Sequence, residues 1–368
     1  MRLTTAFLLL LGFVAGGCGQ ESDEPPDLGP APVRPGAGDA RDARDARDAP
    51  DVAINPRLLR RFKALRAPAE GVDEALVELG RKLYFDPRLS RDGDLSCNSC
   101  HRLDTYGVDG QATSLGHRGQ RGRRNSPTVF NAAGQIAQFW DGRALDVEEQ
   151  AMLPMLNPTE MAMASPEAVI ALLRSIPGYV EAFASAFPGA RQPIDKTNIT
   201  RAIGAFERRL VTRSPWDRFL DGDQAALSAE EIEGLKLFAD VGCVQCHTGE
   251  NLGGSMFQRV GVAEAWPNQG DLGRFDVTRL AADRMQFKVP GLRNIARTGP
   301  YFHDGSVGTL EEAVEMMGRY QIGTPLSPAE IASIVAWLGS LTGELPARYA
   351  RPPELPPDGP RTAELVSH

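Results

Sequence analysis

Cys97-Asn98-Ser99-Cys100-His101 recurs once in this 368-residue chain, as Cys243-Val244-Gln245-Cys246-His247. Two cysteines two residues apart with histidine directly after them suit covalent attachment of a c-type haem. Each thiol forms a thioether to a vinyl group, and the imidazole lies beneath the iron. A zinc site or a redox cysteine pair would explain one such pair on its own. Histidine after both pairs, with no other cysteine pairs in the chain, favours two haem c groups held by Cys97, Cys100, Cys243 and Cys246, with His101 and His247 as proximal iron ligands. A chain built on two such groups is expected to be mainly α, with two cytochrome c-type domains and long loops moulded on the haem.

The fifth cysteine, Cys18, follows Met1-Arg2, an apolar run from Ala6 to Val14, and Ala15-Gly16-Gly17. This reads as a signal peptide over 1–18 ending in a lipobox-like site, or as an ordinary signal peptide cleaved nearby. The run is too short to cross a membrane as a mature helix. Both readings export the chain. The first makes it a periplasmic lipoprotein, expected on the outer membrane, whose only membrane contact is a lipid on Cys18. Residues 19–54 are rich in Pro, Gly, Asp and Ala, with Arg-Asp-Ala three times over 41–49, and read as a disordered tether. The net charge of -8 argues against a nucleic-acid partner, which needs a basic face.

Along 55–225, the N-terminal domain, Leu76, Leu79, Leu83 and Tyr84 form a helical stripe stopped by Pro87. Gly80 to Phe85 has a loose counterpart in Gly234 to Phe238, each just before a haem motif, as expected of a duplicated domain. Ser165-Pro166-Glu167 opens a helix, and Ile199, Ile203, Phe206 and Leu210 give another stripe. In the C-terminal domain, 226–345, helices are expected after Ser228, Thr309 and Ser327, the last running toward Gly343. A proline-rich tail, 346–368, ends at His368.

Only five histidines are present, so two remain as candidates for other roles, His117 and His303. His117 sits in a loop with glycine at 107, 110, 116, 119 and 122. It is either a distal ligand of the first haem that can swing away or a surface histidine beside Arg118 and Arg121. Met317 shares a helical face with Leu310, Ala313 and Val314, and is either a core side chain or the sixth ligand of the second haem. A thioether ligand would make that haem the higher-potential one.

Residues 73–340 resemble the bacterial dihaem cytochrome c peroxidase family, whose relatives include the MauG-type enzymes. The resemblance runs through Arg124 to Thr128, Phe139 to Ala144, Glu149-Gln150, Asn157 to Met161, Lys288 to Asn294 and Thr298 to Gly305. The motifs start at 97 and 243, 146 residues apart, as is typical of that family. The resemblance implies that His101 belongs to the peroxidatic haem and that His117 is its removable distal ligand. It makes Glu160 the acid-base group, with Gln150 nearby, Trp140 the indole between the haems, and Lys288 a basic residue near haem propionates. It also implies a calcium ion on Asn125, Thr298 and Pro300, while the role of His303 stays open. MauG-type enzymes carry tyrosine where this chain has Met317, which favours the peroxidase.

The expected function is therefore a dihaem cytochrome c peroxidase reducing hydrogen peroxide with electrons from a small cytochrome c or copper protein. A MauG-like oxidase of a protein substrate, or a dihaem electron carrier or sensor without turnover, is the alternative. A homodimer is an expectation for its assembly.

Overall fold

The computed structural model describes residues 54–67, 71, 73–360 and 362–366. The signal segment, Cys18, all of the tether except Ile54, and His368 lie outside them. Helix α1, Glu74–Phe85, begins where the Asp73 carboxylate accepts the Ala75 N–H at 2.9 Å. It ends just before Asp86-Pro87, as the proline requires. Then come α2, Val147–Leu156; α3, Pro166–Ser175; α4, Pro177–Ala186; α5, Lys196–Glu207; and α6, Pro215–Leu220. The second half adds α7, Ala229–Asp240; α8, Leu310–Met316; and α9, Pro328–Gly339. The caps expected at Ser165, Ser228, Thr309 and Ser327 all accept a first-turn N–H, and Ser228 and Ser327 form reciprocal boxes with Glu231 and Glu330. Helix α9 stops at Gly339, four residues short of the Gly343 expected from the sequence.

Each haem motif follows a helix pinned the same way. Helix α1 crosses α5 at Gly80, where an added Cβ would lie 1.8 Å from the Ala202 carbonyl oxygen. Helix α7 crosses α9 at Gly234, where a Cβ would lie 2.0 Å from that of Ser333. Only glycine lets the backbones approach so closely, and this is the structural content of the loose repeat around 80 and 234.

The first core gathers Leu79, Leu83, Met152, Leu172, Phe183 and Ile203 from α1 to α5. The second gathers Leu235, Phe238, Ile334 and Trp337, and takes in Phe62, Trp216 and Phe219 from segments before residue 226. Asp217 explains how that arm is held: its carboxylate is fully buried, pairs with Arg293 at 2.6 Å and accepts the Leu65 N–H at 2.7 Å. The tail also packs. Pro356 covers Gly178, Asp358 pairs with Arg88 at 2.7 Å, and Leu365 and Val366 pack on the first core. No single helix among the described residues is long and apolar enough to cross a membrane.

Strands are few: Phe257–Arg259 (β1) pairs antiparallel with Gln286–Lys288 (β2), Gln258 opposite Phe287. This ribbon of the second half reaches the first, since the Lys288 N–H donates to the Trp140 carbonyl at 2.8 Å.

Candidate functional site

A cavity of about 630 Å³ lies in the first half, walled by Tyr84, Cys97, Cys100, His101, Trp140, Gln150, Glu160 and Glu207, among others. A single helical turn, Cys97–Cys100, brings both cysteines to its wall, because residues three apart share a helix face. The His101 N–H closes that turn on the Cys97 carbonyl (2.9 Å), and the Tyr84 hydroxyl donates to the His101 carbonyl (2.7 Å). The His101 ring is buried against the Gly107 and Pro127 backbone, with no hydrogen bond of normal geometry at Nδ1.

The thiols test the competing readings of the motif. Burial pushes Cys97 up to about 12 and Cys100 up to about 11. A redox cysteine pair needs a thiol held low, so these two are poorly suited to exchange chemistry. Among the described residues no three His, Cys, Asp or Glu side chains gather as metal ligands, which leaves no zinc cluster there. Two protonated thiols, a buried histidine and an adjoining large cavity fit a haem joined by thioethers.

The second turn, Cys243–Gln245, differs. The His247 Nδ1–H donates to the Leu252 carbonyl at 2.9 Å, and burial pushes Cys243 up to about 12. Helix α8 ends at Met316, and Met317 opens a π-helical turn over Met317–Ile322. Such turns recur at functional sites. Met316, not Met317, joins the second core.

Glu160 follows α2 and turns into the first cavity. The Asn157 side-chain N–H donates to it at 2.8 Å; burial raises its pKa, while Arg143 and that hydrogen bond oppose the rise. Its backbone carbonyl accepts the His117 N–H at 2.7 Å. Gly116 allows this approach, since a Cβ there would lie 2.0 Å from the Thr159 carbonyl oxygen. His117 itself is buried but is not among the residues lining the cavity; its Nδ1 lies 3.6 Å from the Asp92 carboxylate, which also pairs with Arg118.

Trp140 lines the cavity and donates its indole N–H to the Asn125 carbonyl at 3.0 Å. Its ring meets His303 edge-on at 6.4 Å, and His303 stacks on Phe287 at 4.2 Å. Lys288 lies outside the first cavity, buried against the Gln135 side-chain oxygen, and burial alone lowers its pKa to about 8. The Asn125 amide N–H group donates to the Gln111 and Ala112 carbonyls, and its backbone N–H to the His303 carbonyl at 2.8 Å, three residues beyond Pro300. Thr298 and Pro300 flank Gly299 in that same segment.

Asp92, Asn157 and Glu207 had no role assigned from the sequence, although Asn157 opens the Asn157 to Met161 stretch of the resemblance and Glu207 is a carboxylate four residues past Ile203 beside an apolar stripe.

Residues 74–225 match a family model described as di-haem cytochrome c peroxidase. The cytochrome c551 peroxidase of Pseudomonas aeruginosa is 48% identical over 300 residues, covering 80% of this chain and 86% of that protein. The cytochrome c551 peroxidase of Nitrosomonas europaea is 48% identical over 292 residues, covering 78% of this chain and 86% of that protein. The solved structure of a MauG-like protein associated with microbial copper homeostasis superimposes with a TM-score of 0.69 at 30% identity, over 82% of this chain and 99% of that one.

Proposed function

Because the chain belongs to the dihaem cytochrome c peroxidase family and is an oxidoreductase of that kind, we propose that it reduces hydrogen peroxide to water with two electrons from a small cytochrome c or copper protein. In this reading Cys97, Cys100 and His101 hold one haem c in the 55–225 domain, and Cys243, Cys246 and His247 hold the other in the 226–345 domain. Bound haem supplies the iron that takes up peroxide and exchanges electrons. The chain's own residues supply the protons and the path.

Glu160 is the proton carrier. Peroxide cleavage requires a proton to leave one oxygen and arrive at the other, and a buried carboxylate with a raised pKa can accept it and hand it on. The observation that carries the reading is Glu160 in the wall of the cavity that holds Cys97, Cys100 and His101. Gln150 shares that wall and is suited to orient peroxide by hydrogen bonds. His117, seated on the Glu160 backbone by a loop that needs Gly116, is the movable ligand of this site. Trp140 is the bridge for electrons, since its ring borders the cavity and its backbone and ring meet Lys288 and His303. Met317 is the sixth ligand at the second site, supported by its position at the π-helical turn and outside the core. Asn125, its amide N–H group engaged by the Gln111 and Ala112 carbonyls, offers its side-chain oxygen together with the carbonyls near Thr298 and Pro300 to bind calcium. Export to the periplasm and a lipid on Cys18 complete the reading.

Identity is higher to the cytochrome c551 peroxidases than to the methylamine utilization protein MauG of Methylorubrum extorquens, 48% against 35%, which favours peroxide as final acceptor over a MauG-like reaction. Steady-state peroxide consumption with a panel of reduced donors tests this. Wild type is expected to turn over with at least one donor and Glu160→Ala to lose on the order of 10²–10⁴ in rate. Equal, negligible rates in both would make the protein an electron carrier.

A further inference from the structure

Glu207 is a second buried carboxyl on the first cavity, and the function above gives it no task. It ends α5 with 6% of its surface exposed, on the wall shared with Cys97 and His101. Besides burial, only the charges of Glu148 and Arg208 act on its carboxyl, with no hydrogen bond among the causes, and those two side chains pair with each other. Glu160, by contrast, has Asn157 and Arg143. An ionised carboxylate without a hydrogen bond in such a place is strongly disfavoured.

The ionisable groups around Glu207 sharpen this. Arg208, next in the chain, turns outward and pairs with Glu148 of α2 at 2.7 Å, so its charge is already matched. The Glu148 carboxylate lies on α5 itself, since a Cβ at Gly204 would come 2.5 Å from its oxygen, and it is partly open to solvent. Tyr84 comes from α1 and Cys97 from the haem-binding turn, and the 132–134 turn adds no ionisable side chain. Burial first, then the like charge of Glu148, pushes the Glu207 carboxyl up to about 8, against the opposing pull of Arg208. Any negative charge added to the cavity raises its hold on a proton further.

We propose that Glu207 is the proton-binding group of the first haem site, taking one proton from solvent on the Glu148 side when an electron is added there and releasing it when the electron leaves. The proposal rests on the reading that Cys97 and Cys100 carry a haem. One electron from the reduced donor and one proton from water enter together, so the buried site gains no net charge. Glu207 is thus a positioning residue for charge, distinct from Glu160, which handles the protons of peroxide.

The test is a spectroelectrochemical titration of the haem-loaded protein across about pH 6 to 10, with the second haem as reference in the same molecule. In wild type the first haem's electron equilibrium should shift up to tenfold per pH unit, ~59 mV for a one-electron couple, over part of that range. Glu207→Gln should flatten this dependence without altering that of the second haem. Glu148→Gln, which removes the facing charge, should move it to lower pH. A wild-type slope retained in Glu207→Gln would overturn the proposal. Should that variant lose its haem, Glu207→Asp serves instead: a displaced pH range supports the assignment and an unmoved one overturns it. Mass analysis of the Cys97–Cys100 peptide, which carries a haem if the underlying reading holds, separates failure of that reading from failure of this one.

Discussion

His247 donates its Nδ1–H to the Leu252 carbonyl, whereas the equally sequestered His101 ring faces the Gly107 and Pro127 backbone with no hydrogen bond of normal geometry at Nδ1. A carbonyl behind an imidazole fixes the ring and raises its basicity as a ligand. The second site is bordered by its core, which takes in Met316, while the first opens on a cavity carrying two carboxyls with raised pKa values. One five-residue motif, used twice, therefore stands in two different surroundings, and in the proposed function that difference assigns the two copies different chemistries. The first half has a cavity walled by two carboxyls; the second has an apolar setting and a histidine fixed by a carbonyl, which in the proposed function suits electron supply.

The largest effect should come from separating those roles at Glu160. Glu160→Gln is expected to cut peroxide turnover by roughly 10²–10⁴ while leaving the absorption spectrum of the second haem unchanged. Because the carboxylate must accept a proton, wild-type activity is expected to fall as pH drops through a value above the ordinary 4.5, the direction in which burial moves Glu160. The Gln variant should lack that limb, and its persistence would assign it to another group.

The second half depends instead on a buried ion pair. Asp217→Ala leaves Arg293 unmatched and the Leu65 N–H unbonded, and should cost about 3–5 kcal/mol in denaturant unfolding of the second half. A loss of under about 1 kcal/mol would mean that the arm around Phe62 is held by packing alone.

A smaller effect tests the likeness beneath the difference. Gly80→Ala and Gly234→Ala each drive a Cβ into a facing carbonyl, and each should cost ~1–3 kcal/mol, measured as a fall in unfolding midpoint. Unequal costs would show that the two helix crossings are not equivalent.

The elements legible in the sequence were those with local causes. Caps at Ser165, Ser228 and Ser327 and the stop at Pro87 act within a turn or two, and the structure has each of them. Positions set by distant contacts were not legible. The Phe62 arm joins the second core through Asp217, the tail joins the first through Asp358 and Val366, and no local pattern marks either. The π-helical turn at Met317 continues an ordinary helical pattern, so the sequence shows the methionine but not the break in register that begins with it. At the first site both cysteines, His101, Trp140, Gln150 and Glu160 line one cavity, while His117 lies beside Asp92, twenty-five residues earlier in the chain.

The asymmetry of the two sites is tested most directly by a redox titration of the haem-loaded protein, wild type beside Met317→His. Two separate waves are expected in wild type. The first electron should enter at the second site, and Met317→His should lower that wave by a sizeable part of the roughly 0.8 V that axial ligands span, leaving the other in place. Two coincident waves, or a higher wave indifferent to Met317→His, would contradict it.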